Sequence, residues 1–251
     1  MTAPVGYVDV RVYAELNDFL PAESRGATVR RPFRPHQTVK DVLEAMGVPH
    51  TEIDLIVVNG KPRDFAWRPA AGDRIAAYPM FEALDVGATA RLRSAPLRDP
   101  RFVVDVNMGR LAWQLRLLGF DVWWSSAADD AELVDISLSQ HRILCTRDRG
   151  LLKRRAITHG LFVRAEDPEE QTLEVIRRLD LRRRLAPLTR CLPCNGLLVP
   201  VSTAEVSDRL EPLTRRYYAA FSHCLDCGQI YWAGSHYSRL VRRVERLRSR
   251  L

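Results

Sequence analysis

The chain has 251 residues, 46% hydrophobic and 27% charged, with a formal net charge of +7. At about 100–200 residues per domain this length allows one large domain or two to three small ones, and the composition excludes a disordered or collagen-like chain. No run approaches the roughly 18 apolar residues of a membrane span, and Met1–Val10 lacks the basic start and apolar stretch of a secretory signal, so the expected compartment is the cytoplasm, without a membrane partner. Charge is unevenly laid out: residues 1–90 carry 10 basic and 12 acidic side chains, 91–180 carry 15 and 14, and 181–251 carry 13 and 5. A cationic segment favours a polyanionic partner such as nucleic acid, because neutralised phosphates release condensed counterions. Lys40, Lys61 and Lys153 are the only lysines, so coding bias is the competing account of the arginine load.

In Val5–Val86, short apolar runs alternate with turn signals. Tyr7–Tyr13 alternates as a strand, and Thr38 reads as the N-cap of a helix carrying Val39, Val42, Leu43 and Met46, with Gly47 placed to stop it. Asp54–Val58 reads as a buried strand, Asn59-Gly60 as a tight turn, and Arg74–Tyr78 as a last strand after Gly72-Asp73. Strand, strand, helix, strand, strand is a β-grasp order. The Val-Asn-Gly-Lys turn at 58–61 and Gly-Asp-Arg-Ile at 72–75 resemble the ubiquitin-like sulfur carriers of the ThiS and MoaD type. Those carriers need a free Gly-Gly carboxy terminus, whereas here the last strand runs into Phe81–Val86 and the chain continues, so the expected role is that of a scaffold or of a docking surface for a protein partner.

Thr89–Pro100, with Arg91, Arg93, Pro96, Arg98 and Pro100 and little apolar periodicity, reads as a linker. Beyond it strands and helices alternate. Arg101–Val106 is a strand, Leu111, Leu115, Leu117 and Leu118 mark a helix that Gly119 can end, and Asp121–Trp124 is a second strand. Asp130–Gln140 is a helix, Arg142–Thr146 and Leu161–Arg164 are further strands, and Pro168–Leu179 is a helix with an acidic first turn. Such alternation implies a parallel sheet with right-handed crossovers.

In open parallel sheets, sites form where the carboxyl ends of strands meet the following loops. Asp105 ends the first of these strands, Asp148 follows the third, and Asp130 lies in the first turn of the helix after the second, beside Asp129 and Glu132. Carboxylates gathered in one place repel each other unless a divalent cation sits among them. Taken singly, each of these acids is equally a turn or capping residue.

Phe102–Ala112, Leu115–Asp121, Asp129–Leu133 and the block Thr146-Arg147-Asp148-Arg149-Gly150-Leu151-Leu152 resemble the Mut-seven carboxy-terminal RNase domain, a PIN-fold ribonuclease family, from about Asp99 onward. The resemblance implies a PIN-like sheet with a Mg²⁺ or Mn²⁺ site that cuts RNA phosphodiesters, with Asp105, Asp130 and Asp148 as the catalytic and metal-binding residues. PIN nucleases usually carry a further acid on an intervening helix. None lies between Asn107 and Gly119, and Asp129, Glu132 or Asp121 are the acids available to fill in. Asn107 and Arg147 are candidates to support a metal ligand or contact phosphate, and each is equally a turn residue or a solvated charge.

Five cysteines in a chain read as cytosolic argue against a disulfide framework. Cys191-Leu-Pro-Cys194 and Cys224-Leu-Asp-Cys227 are two Cys-x-x-Cys knuckles 29 residues apart, a pattern that binds Zn²⁺ tetrahedrally and closes a small module. The spacing leaves room for an intervening hairpin or helix. Cys145, in an apolar strand, reads as core, and His223 is a minor rival ligand. Tyr231–Tyr237 resembles the end of the same family's zinc-ribbon extension; these aromatics, with His236, Arg239, Arg242 and Arg243, either meet RNA or pack on the ribbon. Leu240, Val244, Leu247 and Leu251 give the last helix one apolar face.

The expectation is an α/β multidomain chain: a β-grasp domain at 1–88, a linker at 89–100, a PIN-like parallel α/β domain at 101–185, and a zinc ribbon with a basic helix at 186–251. It would be a metal-dependent ribonuclease with structural zinc, with Arg147, Arg182, Arg183, Arg184 and the basic tail on RNA, tRNA and the ribosome being candidate partners. The alternative is a non-catalytic RNA- or ribosome-binding platform.

Overall fold

The computed structural model describes residues 6–79 and 99–251; the expectations for Phe81–Val86 and for most of the linker lie outside them. The chain divides into two compact units, one made of residues 1–99 with 146–162, the other of 100–145 with 163–251.

In the first unit, β1 (Gly6–Val12) buries Val8, Val10 and Val12, the alternation of a strand with one face on a core. β2 (Val29–Phe33) lies antiparallel to it. α1 (Val39–Ala45) opens on Thr38, which exchanges side-chain bonds with Asp41 in a capping box, and buries Val39, Val42 and Leu43. β3 (Leu55–Val58) and β4 (Lys61–Arg63) join through Asn59-Gly60, and β5 (Arg74–Tyr78) runs parallel to β1 and antiparallel to β3. The order β2-β1-β5-β3-β4, with the parallel pair central, is a β-grasp sheet.

In the second unit, β6 (Arg101–Val104) buries Phe102, Val103 and Val104 completely, as a strand covered on both faces must. It stops at Asp105, which caps a 3-10 turn over Val106–Met108. α2 (Gly109–Leu117) packs Leu111, Ala112 and Leu115 inward. Gly119 ends that helical run with φ +95, and a Cβ there would lie 2.0 Å from Ala186 O, so only glycine fits. β7 (Asp121–Trp123), α3 (Asp130–Ser139) and β8 (Ile143–Thr146) follow, with β6 paired in parallel to both β7 and β8.

α4 (Arg149–Leu152) and β9 (Gly160–Phe162) belong to the first unit. β9 stops short of the predicted Arg164 because the Arg164 and Ala165 N–H groups turn to the Glu174 carboxylate, at 3.0 and 2.9 Å. That carboxylate sits on α5 (Pro168–Arg178), capped by Asp167. The remainder is a three-stranded antiparallel ribbon, β10 (Leu198–Val201), β11 (Phe221–Cys224) and β12 (Ile230–Trp232). The short helices α6 (Thr203–Val206) and α7 (Pro212–Tyr217) fill the interval between knuckles, and α8 (Ser235–Arg250) buries Leu240, Val244 and Leu247.

Candidate functional sites

The ribbon turns bring Cys191, Cys194, Cys224 and Cys227 together so that their sulfurs all lie within 4.8 Å of one another. Cys191 Sγ is 3.6 Å from Cys227 Sγ, and Cys194 Sγ is 3.3 Å from Cys224 Sγ. Zinc–sulfur bonds of about 2.3 Å set tetrahedral sulfurs roughly 3.8 Å apart, so the four thiols fit such an ion. Without a cation they resist ionising together: burial, then hydrogen bonding with the neighbouring thiols, pushes Cys194 up to about 12. At Cys224 burial is outweighed by bonds from the Cys227 and Asp226 backbone, and its pKa falls to about 7. A divalent cation would remove that conflict. Among the described residues this quartet is the group of three or more His, Cys, Asp or Glu gathered at this spacing; His223 and Cys145 stand apart from it.

Two further residues brace the centre. Tyr231 Oη lies 3.2 Å from Cys191 Sγ and accepts the Leu192 N–H at 3.1 Å, which ties this ring to the first knuckle. Arg116, on α2, donates to Leu192 O at 2.9 Å, to Pro193 O at 2.7 Å, and to Val122 O on β7. Burial lowers the Arg116 pKa against the opposing charges of Cys194, Cys191 and Asp121. Sequence reasoning missed Arg116, although a lone cation inside Leu115-Arg116-Leu117-Leu118 was a signal.

Asp105 immediately follows β6; its N–H donates to Cys145 O at the end of β8, and its carboxylate accepts the Asn107 N–H at 3.3 Å. Asp148, two residues after β8, caps α4 by accepting from Gly150 N at 2.6 Å and Leu151 N at 3.3 Å. Asp130 is the exposed first residue of α3, whose N-cap is Asp129, bonded to Glu132 N at 2.8 Å. Asp121, one of the spare acids, begins β7 and is held by Arg142 at 2.6 Å and by Asn195 at 2.9 Å.

The expected RNA contacts lie on several elements. Arg147 is exposed, and Arg182, Arg183 and Arg184 form an exposed 3-10 turn. On α8, Arg239 bonds His236 Nδ1 at 2.8 Å, Arg242 is exposed, and the Arg243 guanidinium lies 5.7 Å from the Trp113 ring centre. Arg246 and Arg250 pair with Glu169, and Arg250 also with Glu170, on α5. No helix among the described residues is long and apolar enough to cross a membrane.

A ubiquitin-like sheet, a parallel α/β sheet and a four-cysteine ribbon in one chain define the class: a ubiquitin-like module joined to an α/β domain with a ribbon able to hold a metal ion. The chain belongs to the Mut7-C RNAse domain family, whose model matches residues 100–244, more than half its length, while the Mut7-C ubiquitin model matches residues 5–85. Two solved structures of small archaeal modifier protein 1 from Haloferax volcanii are each 26% identical to it, covering 30% and 31% of this chain and 97% and 99% of theirs, with TM-scores of 0.25 and 0.26. No curated protein matches the chain. Membership ties the chain to nuclease and RNA chemistry, and its ubiquitin-like part to protein interaction.

Proposed function

We propose that the chain is a metal-dependent ribonuclease that hydrolyses RNA phosphodiester bonds. The observation that carries this reading is the match of the RNase-domain model to residues 100–244, and it is supported by Asp105, which follows β6 directly and donates its N–H to Cys145 O at the end of β8. Asp105, Asp130 and Asp148 offer hard oxygen donors of the kind Mg²⁺ and Mn²⁺ take, and are the residues that would hold the ion. Bound there, it would supply Lewis acidity toward the phosphate oxygens and the attacking water. The Asp148 carboxylate is oriented by two α4 N–H groups, and Asp105 by Asn107 N. The cysteine quartet holds zinc and, with all four positions filled by sulfur, serves structure alone. Arg147, Arg182–Arg184 and the α8 cations would grip the RNA backbone.

A second reading, an RNA- or ribosome-binding platform, is favoured by the absence of any acid in α2. Labelled single-stranded and structured RNA incubated with Mn²⁺, Mg²⁺ or EDTA separates the two. Metal-dependent products support the nuclease, and Asp105→Asn should lower them by roughly 10²-fold or more while leaving the circular dichroism spectrum intact. Unchanged cleavage removes Asp105 from the site, and binding without products favours the platform.

A further inference from the structure

The segment Thr146–Phe162 packs as part of the ubiquitin-like unit, through contacts at both ends of α4, the helix capped by Asp148, and along the stretch that follows it. Buried His50 uses both ring nitrogens on oxygen acceptors, Nδ1 on the Glu44 carboxylate at 2.7 Å and Nε2 on Ile157 O at 2.8 Å. The backbone carbonyl of that same Glu44 accepts from Lys153 Nζ at 3.0 Å, and Lys153 is the C-cap of α4. At the far end of the segment the buried Glu52 carboxylate accepts the Phe162 N–H at 2.6 Å. The Phe162 ring packs against the β-grasp core, edge-on to Phe19 at 5.2 Å. Arg149, the first residue of α4, lies over both rings at 5.1 and 5.3 Å. Gly160 permits the close approach: a Cβ there would meet Leu152 Cδ2 at 2.5 Å and Thr51 Cβ at 3.3 Å.

Both ends of α4 are therefore fastened within the ubiquitin-like unit, Lys153 to α1 and Arg149 to Phe19 and Phe162. We propose that the ubiquitin-like domain acts in cis as a clamp that sets the position of Asp148, with Glu44, His50, Glu52 and Lys153 as positioning residues. The inference rests on Asp148 being a site acid, as in the ribonuclease reading. A hydrogen-bonded clamp of this kind raises the free energy of local opening in the segment it holds.

The test uses the full chain with His50→Phe/Lys153→Met, Lys153→Met alone, and Lys153→Arg, which keeps a donor. Amide exchange across Arg149–Phe162 should quicken roughly ten-fold or more in the double variant, with β1, β3 and β5 amides unchanged. Cleavage should fall in kcat with KM for RNA unaltered, and Lys153→Arg should restore both. Should the double variant loosen the whole sheet, Lys153→Met, at a half-buried position, decides by the same readouts. Unaltered exchange in Arg149–Phe162, or faster exchange with unaltered kcat, overturns the clamp. A wild-type chain that cuts no RNA under any metal defeats the ribonuclease reading, while the exchange measurement still decides whether the segment is clamped.

Discussion

Asp121 shows how much one carboxylate can organise. It meets Arg142 at 2.6 Å and Arg190 at 3.7 Å, and accepts from Asn195, whose own side-chain oxygen takes the Val122 N–H at 2.9 Å. Burial alone would raise its pKa, but hydrogen bonds from Arg142 and Asn195 and the charges of Arg142 and Arg190 outweigh it and hold the carboxyl below the ordinary range. A folded-state pKa below the unfolded value of about 3.9 means stabilisation that is present above that value and lost as pH falls through the folded pKa. Asp121→Ala leaves the buried Arg142 without its carboxylate and should cost about 3 kcal/mol in urea unfolding at pH 7, with the gap from wild type closing under strong acid. The sequence made Asp121 a spare ligand because it shows an acid next to a strand but not which end of the sheet it occupies. Register settles that: Asp121 pairs with Arg101, at the strand starts, whereas Asp105 follows a strand end.

At the scale of elements, the first cysteine knuckle is fastened to β7 by Asn195 on Val122 N and by Arg116 across Val122 O, Leu192 O and Pro193 O. The ribbon should therefore communicate its loading to the α/β sheet. Stripping the metal with a strong chelator should release about one zinc per chain, measured with a chromogenic zinc indicator. Amide exchange should then accelerate in β10–β12 and also at Val122. Acceleration confined to the ribbon would show that the bracing carries no load. The knuckles and their chemistry were legible in the sequence, since spacing alone announces four thiolates. The bracing was not: Asn195 read as a turn residue, and its side-chain partner lies 73 residues away.

Across the whole chain, what the sequence revealed was local. Thr38 caps α1 as predicted, β5 spans the predicted Arg74–Tyr78, and Leu240, Val244 and Leu247 form the buried face of α8. Periodicity and capping are written in neighbouring residues. The assignment of Thr146–Phe162 to the ubiquitin-like unit depends instead on partners 107 and 110 residues apart, His50 with Ile157 and Glu52 with Phe162, which no window of sequence displays. A fragment of residues 1–99 should accordingly unfold at least about 2 kcal/mol more easily than the same sheet in the full chain, having lost the Phe162 side chain from its core. Thermal unfolding followed by Tyr and Trp fluorescence, with and without a synthetic 146–162 peptide, measures the deficit and its rescue.

The placement of Phe162 also sets a timetable for biosynthesis. At about 5–20 residues per second, the ribosome needs several seconds after residue 99 before this ring emerges. Until then the nascent amino-terminal sheet waits with an open seam, and translation of the RNase region is what closes it.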